Sequence, residues 1–146
     1  MRRSASGTEI VLQRARRSFL AEASLDQPEY HCDAVAATDA TVLSIPRQAF
    51  RRALDDPAFR LVWMSHLSHE LRRMRAQAER LSLKTAEGRI VHYIETEGRD
   101  GSLVLEYTKK EWAAEIGLTH EALYRALARM VARGTLAIDA GRISLS

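Results

Sequence analysis

The sequence predicts an α+β fold, and three features support that prediction. Short runs of β-forming residues lie between residues 9 and 45, a long amphipathic stretch without glycine or proline follows Pro57, and helix caps alternate with strand-like runs after residue 85. An apolar spacing near 3.6 residues indicates helix and a spacing of two indicates strand. The 146 residues are enough for one ordinary domain or two small ones.

Composition narrows the class of protein. Hydrophobic residues make up 46% of the chain and charged residues 28%, which is typical of a folded globular protein. No apolar run approaches the roughly 20 residues that a membrane helix requires, and the basic N-terminus lacks the apolar core of a secretory signal. Cys32 stands alone, so it cannot form an internal disulfide. We therefore expect a cytoplasmic protein that contacts no membrane.

The net charge of +3 is only a weak indication of nucleic-acid binding. The positive surplus lies in residues 57–84, which contain 6 basic and 2 acidic side chains, whereas residues 85–146 contain 8 basic and 9 acidic ones. A prediction of DNA binding must therefore rest on particular residues.

Residues 1–56 are predicted to form a partial antiparallel β-roll. Their β-compatible runs are Glu9–Leu12, Ala34–Ala36 and the alternating segment Thr41–Ile45. Gly7 is the only glycine before residue 88, and a complete roll normally needs more turn glycines and more strands than fit here.

Residues 57–84 are predicted to form one long dimerisation helix. Pro46 opens a short helix through Leu54, and Asp55-Asp56-Pro57 then places an acidic cap and a proline at the start of a second helix, about 40 Å long at 1.5 Å per residue. Its apolar seam consists of Trp63, Leu67, Leu71, Met74, Ala78 and Leu81. This near-heptad spacing favours pairing with a second copy, although an intradomain core helix is the alternative.

This helix also carries a group of arginines and a pair of histidines, and the histidine pair is expected to be either solvated or interfacial. The face opposite the seam carries Arg72, Arg73, Arg75 and Arg80. His66 and His69 are three residues apart, but a metal site needs further ligands and the sequence supplies no third one nearby.

Residues 85–146 are predicted to form a winged helix-turn-helix domain. Thr85 caps a helix that ends near Gly98, and Ser102–Tyr107 reads as a strand. Thr108 and Glu111 form a capping box that begins a helix of about eight residues. Its inner face carries Trp112, Ala113 and Ile116. Gly117 makes the turn, and Thr119 caps a second helix that runs to about Arg133. Its contacts with the first helix come from Leu118, Leu123, Ala126 and Leu127. The strands Thr135–Ile138 and Arg142–Leu145 then form a hairpin.

The N-terminal residues of a second helix docked in the major groove meet base edges. We expect base contacts from His120, Glu121 and Arg125, because arginine can donate two bonds to guanine and glutamate can accept from cytosine. An ordinary helix ion pair between Glu121 and Arg125 is the alternative. The residues expected at phosphates are Thr108, Lys109, Lys110, Thr119 and Arg142.

The long helix and four strings carry a resemblance to a known family, and the strings are Ser18–Leu25, Thr85–Ile90, Thr108–Trp112 and Glu121–Arg125. From about Ser18 onward the chain resembles the CRP/FNR family of bacterial transcription regulators. The resemblance implies a cyclic-nucleotide-binding-like β-roll, a long dimerisation helix and a winged helix domain. It also implies a half-site with a G-A core, and RNA polymerase as a further candidate partner. The first strands of the family's roll are expected to be absent, through either a truncated gene product or a late start.

The resemblance also bears on effectors. Glu22 matches the family's ribose-binding glutamate, but Tyr30 and His31 replace the Arg-Ser pair that grips the cyclic phosphate, so cyclic AMP is not expected to bind. An iron–sulfur cluster needs several thiolates, and Cys32 is the single one. No cofactor is expected, and the effector is unknown.

The sequence thus predicts a homodimeric, sequence-specific transcription regulator that binds double-stranded DNA. The alternative is an effector-sensing or interaction protein whose helix pair no longer binds DNA. An enzyme is not expected, because paired carboxylates, a nucleophile triad and a glycine-rich phosphate loop are not found at usable spacing.

Overall fold

The computed structural model describes residues 2–3, 9–10, 13, 15, 17–30 and 32–146, and these confirm an α+β chain. The elements in order are β1 (Arg2–Arg3), β2 (Glu9–Ile10), α1 (Arg47–Ala53), α2 (Pro57–Ser82), α3 (Ala86–Glu97), β3 (Ser102–Val104), α4 (Lys109–Glu115), α5 (His120–Ala132), β4 (Leu136–Asp139) and β5 (Arg142–Leu145). The chain divides into two compact units, residues 1–65 and 66–146.

Aromatic side chains form the core of the first unit. Phe50 on α1 and Trp63 on α2 are both buried, with ring centroids 4.8 Å apart. Phe19 packs edge-on against Trp63 at 5.0 Å, and Phe59 packs against Phe50 at 5.7 Å. Because Trp63 is buried within its own chain, its predicted place in the dimer seam is corrected: it is a core residue.

Two predicted strands are wrong. Ala34–Ala36 and Thr41–Ile45 have no regular secondary structure, and the side chains of Val42 and Leu43 are 83% and 86% exposed. A strand needs a neighbouring strand to pair its backbone groups, and none lies beside these segments within the described residues. The one ladder described in this unit is the two-residue antiparallel pair β1–β2. Of the predicted strand Glu9–Leu12, Val11 and Leu12 lie outside the described residues.

The long helix forms as predicted. Asp56 Oδ1 accepts a hydrogen bond from the backbone N–H of Ala58 at 2.8 Å, and the helix begins at Pro57 and ends at Ser82. Arg80, which the sequence places on the face opposite the seam, is not exposed there: its side chain is only 1% exposed and packs on α3. No helix in the described part of the chain is long and apolar enough to cross a membrane.

The second unit is built on a three-stranded antiparallel sheet with β5 in the centre, between β3 and β4. The hairpin turn at Ala140 and Gly141 has positive φ at both residues, as a two-residue hairpin turn requires. The predicted strand Ser102–Tyr107 is shorter than expected: Val104 already pairs with Arg142, the first residue of β5, so no partner remains beyond it. The helices α3, α4 and α5 share one buried cluster with this sheet, whose members include Ile90, Ile94, Trp112, Leu123, Leu136 and Ile143.

Candidate nucleic-acid interface

The helices α4 and α5 are fixed by the caps that the sequence predicts. Thr108 Oγ1 accepts from the backbone N–H of Glu111 at 3.2 Å, and Glu111 Oε2 accepts from the backbone N–H of Thr108 at 2.9 Å. Thr119 Oγ1 accepts from the backbone N–H of Ala122 at 3.1 Å. These bonds satisfy donors that a helix start leaves open, so both helices begin at defined residues.

The turn between α4 and α5 depends on Gly117. Its φ is +66°, a left-handed conformation that glycine adopts without strain. A Cβ atom at this position would lie 2.6 Å from Leu81 Cδ2 and 3.0 Å from Arg89 Nη1. The predicted glycine is therefore required twice, by its backbone conformation and by the approach of the end of α2.

One face of α5 is buried, and this fixes the rotation of the helix about its axis. Leu123, Ala126, Leu127 and Met130 are at most 3% exposed. The predicted base-contacting residues His120, Glu121 and Arg125 are all exposed on the other side. The packing therefore presents these three side chains together at the N-terminal end of α5.

A small aromatic and cationic group lies beside these residues. The rings of His120 and Tyr124 have centroids 4.4 Å apart, and Lys109 Nζ lies 5.3 Å from the Tyr124 ring centroid. Tyr124 therefore joins the start of α4 to the start of α5. The predicted phosphate residue Lys109 lies next to the predicted base residue His120 through this ring.

Glu121 is held as a carboxylate. Its own backbone N–H and the Thr119 hydroxyl donate to it, and these bonds, with smaller contributions from the charges of His120 and Arg125, lower the pKa of the carboxyl below its usual 4.5. Among the ion pairs of the described residues, none joins Glu121 to Arg125. The guanidinium of Arg125 is exposed and is not held by its neighbour one turn earlier.

The residues predicted to contact phosphates differ in whether their side chains are free to do so. Thr108 donates its hydroxyl proton to Glu111 Oε2 at 2.9 Å, and the Thr119 hydroxyl serves Ala122 and Glu121, so both threonine side chains are used as caps. Lys110 is exposed on α4. Arg142 is exposed at the first position of β5, and within the described residues no contact joins it to the exposed face of α5.

Glu22, the predicted effector residue, belongs to the first unit and lies in a 3-10 turn over Glu22–Ser24. Its Oε1 accepts from Gln13 Nε2 at 2.7 Å. Tyr30 is 76% exposed, whereas His31 lies outside the described residues. No cluster of three or more potential metal ligands is found among the described residues.

Sequence reasoning missed the roles of two arginines in the second unit. Arg80 donates to Thr96 Oγ1 at 3.1 Å and pairs with Glu97 at 3.3 Å. Arg89 donates to backbone carbonyls of two other helix ends. The partners of each lie in other elements of the chain, and no local pattern shows them. Met64 was missed as well, although the sequence could have indicated it. It lies three residues before Leu67, continues the alternating spacing of the seam, and is 56% exposed.

Known proteins match this chain in structure. No protein-family model and no curated protein matches it. FixK2 from Bradyrhizobium japonicum matches with a TM-score of 0.56 and 24% identity, over 69% of this chain and 54% of FixK2. A transcriptional regulator of the CRP/FNR family from Thermus thermophilus matches with a TM-score of 0.49 and 24% identity, over 62% of this chain and 50% of that one. The chain thus spans about half the length of these structures, and over the matched residues it shares the fold of FixK2.

Proposed function

We propose that this chain is a transcription regulator of the CRP/FNR type, without enzymatic activity, that binds a palindromic DNA site as a homodimer. In this proposal α4 and α5 form a helix-turn-helix, α5 is the recognition helix, and the hairpin β4–β5 is the wing. The cyclic-nucleotide-binding-like region, the dimerisation helix and the winged helix domain keep the boundaries 1–56, 57–84 and 85–146.

The observation that carries the proposal is the division of α5 into two faces. Leu123, Ala126 and Leu127 are buried, so the helix cannot rotate, and His120, Glu121 and Arg125 are left exposed at its N-terminal end. Recognition helices contact base edges from that end. An exposed arginine and a carboxylate one turn apart are the groups that read guanine and cytosine.

The outer surface of α2 supports the homodimer. Leu71, Met74 and Leu81 are 49%, 66% and 44% exposed, although they lie on the apolar seam. With Met64, Leu67 and Ala78 the seam has the alternating spacing of three and four residues that is typical of a two-stranded coiled coil. We propose that a second copy of the chain covers these six residues, which would place two α5 helices on successive major grooves about 34 Å apart.

The phosphate contacts proposed are the side chains of Lys109, Lys110 and Arg142, with the backbone at the two threonine caps. Phosphate contacts set the position of a protein on the duplex and carry no direct sequence information. Ammonium and guanidinium groups fit that role, and both Lys110 and Arg142 are exposed. The Thr108 and Thr119 hydroxyls are already used within the chain, so their part would be to orient the helix starts.

Selection from a random double-stranded DNA pool with the purified full chain tests the proposal. We expect enrichment of a palindrome whose half-sites are about 10 base pairs apart and contain G·C pairs opposite Arg125. Failure to enrich any sequence over the starting pool would reject DNA recognition and favour an effector-sensing or interaction protein.

A further inference from the structure

One side chain contacts the ends of two helices that are distant in sequence. Arg89, in the first turn of α3, donates from Nε to Leu83 O at 2.9 Å and from Nη2 to Leu81 O at 3.1 Å. Its Nη1 donates to Gly117 O at 2.8 Å and to Ile116 O at 3.3 Å. The first pair of carbonyls belongs to the end of α2, and the second pair to the end of α4.

These four carbonyls are groups that need a donor. The last carbonyls of a helix have no partner within it, and they carry the negative end of the helix dipole. A guanidinium offers five N–H donors in a fixed planar fork, so one arginine can serve two helix ends that lie at a set angle to each other. The geometry of Arg89 therefore relates the direction of α2 to the turn that precedes α5.

Packing strengthens this relation. Leu81, at the end of α2, lies so close to Gly117 that a Cβ there would approach its Cδ2 to 2.6 Å. Glu87, two residues before Arg89, pairs with Arg129 at 3.2 Å and with Arg133, both near the end of α5. The first turn of α3 thus contacts the ends of α2, α4 and α5.

We propose that Arg89 is a positioning residue that sets the spacing between the two half-sites that the dimer accepts. The inference rests on the proposed function, because the spacing matters only if two α5 helices bind one DNA molecule. Arg89 itself need not touch DNA. If α2 pairs the two chains and α5 reads the bases, the angle between these helices determines where each α5 lies on the duplex.

The experiment measures affinity for the selected palindrome and for versions with one base pair added to or removed from its centre. Each base pair moves a half-site by about 3.4 Å and rotates it by about 34°. Joint binding of two half-sites contributes a factor of about 10²–10⁴ in affinity, which is lost when geometry forbids it. We expect the wild-type chain to lose about tenfold or more on each altered spacer.

For Arg89→Ala we expect this spacer preference to fall below about threefold, with the preference for the correct bases in each half-site unchanged. Arg89→Lys keeps the charge, but one ammonium cannot reach both helix ends, so it is expected to show a reduced spacer preference as well. Arg72→Ala removes an equal charge from an exposed position and is expected to keep the wild-type preference. A folded, dimeric Arg89→Lys that discriminates spacers as the wild type does would overturn the inference.

A second readout is independent of DNA. Spin labels at Arg72→Cys and Ala128→Cys, in a Cys32→Ser background and diluted with unlabelled chain, report the distance between α2 and α5 within one protomer. We expect one narrow distance distribution, broadened by Arg89→Lys. If the wild type binds no DNA, the proposed function fails while this measurement still tests Arg89. An equally narrow distribution in the variant would count against the positioning role.

Discussion

The guanidinium of Arg80 lies over the ring of Tyr93, with its central carbon 4.4 Å from the ring centroid. Arg80 is on α2 and Tyr93 is on α3, and both side chains are buried. The Tyr93 hydroxyl forms a hydrogen bond with Tyr107, and burial raises the pKa of both phenols, so both stay protonated at neutral pH. The contact between the end of α2 and α3 is thus polar and buried, which makes it sensitive to the loss of a single partner.

Removing Arg80 is therefore expected to destabilise the fold. In Arg80→Ala, Glu97 loses its ion pair, the Thr96 hydroxyl loses a donor and Tyr93 loses its cation, so we expect a loss of about 3 kcal/mol in the free energy of unfolding. Denaturant unfolding measures this. Arg72→Ala, on the exposed side of the same helix, is the control and should change stability by less than about 0.5 kcal/mol. Equal losses in both variants would contradict the buried placement of Arg80.

Substitutions at two glycines with nearly equal φ distinguish the cost of backbone strain from the cost of close packing. Gly117 has a φ of +66° with Leu81 against it, whereas Gly134 has a φ of +69° with nothing within 4 Å. Alanine at either position costs about 1–2 kcal/mol for the left-handed conformation. We expect Gly117→Ala to cost a further 1–3 kcal/mol or so, because a well-packed neighbour must move. Thermal unfolding measures both losses of stability. Equal losses in Gly117→Ala and Gly134→Ala would contradict the close packing of Leu81 against Gly117.

The pairing of Glu87 with Arg129 and Arg133 predicts a pH dependence. Hydrogen bonds from these two arginines, followed by their charges, lower the pKa of Glu87 below its usual 4.5 in the folded chain. The contribution to stability is therefore present above pH 4.5 and is lost as pH falls through the lowered pKa. We expect Glu87→Gln to melt at a lower temperature than wild type at pH 7.

This difference in melting temperature between wild type and Glu87→Gln should shrink progressively as the pH is lowered from 4.5. Glu95→Gln, on the exposed side of α3, is the control. It should melt close to the wild type across the same pH range. A difference for Glu87→Gln that stays constant down to low pH would show that the ion pairs are not its cause.

A charge placed in the exposed seam of α2 is expected to weaken the proposed homodimer. Met74→Glu places a carboxylate in the proposed coiled-coil contact, and it does so in both chains. We expect the dimer dissociation constant to rise about 100-fold or more, because desolvating unpaired charges costs several kcal/mol. Sedimentation velocity measures this.

Val62→Glu is the matched control for the seam. Val62 is 64% exposed on the same helix, but it lies off the alternating positions of the seam. Its variant should remain dimeric. If Met74→Glu sediments as the wild type does, the chains do not pair through the seam of α2. If Met74→Glu and Val62→Glu dissociate equally, the pairing surface is not the predicted seam.

Sequence patterns predicted the elements whose determinants are local. Thr108 with Glu111, Thr119 with Ala122, and Gly117 each act within a few residues, and all three are found in the structure. The predicted strand at Thr41–Ile45 had the right period but depended on a neighbouring strand, which the sequence around it could not show.

Long-range partners explain the other differences. An arginine on the polar face of a helix is ordinarily exposed to solvent. Arg80 is buried because Tyr93, on another helix, packs against it. Arg89 binds carbonyls up to 28 residues away, and backbone carbonyls leave no trace in a sequence. Trp63 satisfied the apolar spacing, but Phe19 and Phe50 cover it within the chain. Met64 met the spacing better and is exposed.

The contact of Arg125 with a base is tested most directly by a double-mutant cycle, which combines one substitution in the protein with one in the DNA. The affinities of the wild type and of Arg125→Ala are compared on the selected palindrome and on a palindrome whose G·C pair opposite Arg125 is replaced by A·T. We expect the substitution in DNA to cost the wild type about 1–3 kcal/mol and the variant close to nothing, with the dimer intact. Arg72→Ala should behave as the wild type does. If Arg125→Ala discriminates the two palindromes as strongly as the wild type, α5 does not read this base pair through Arg125.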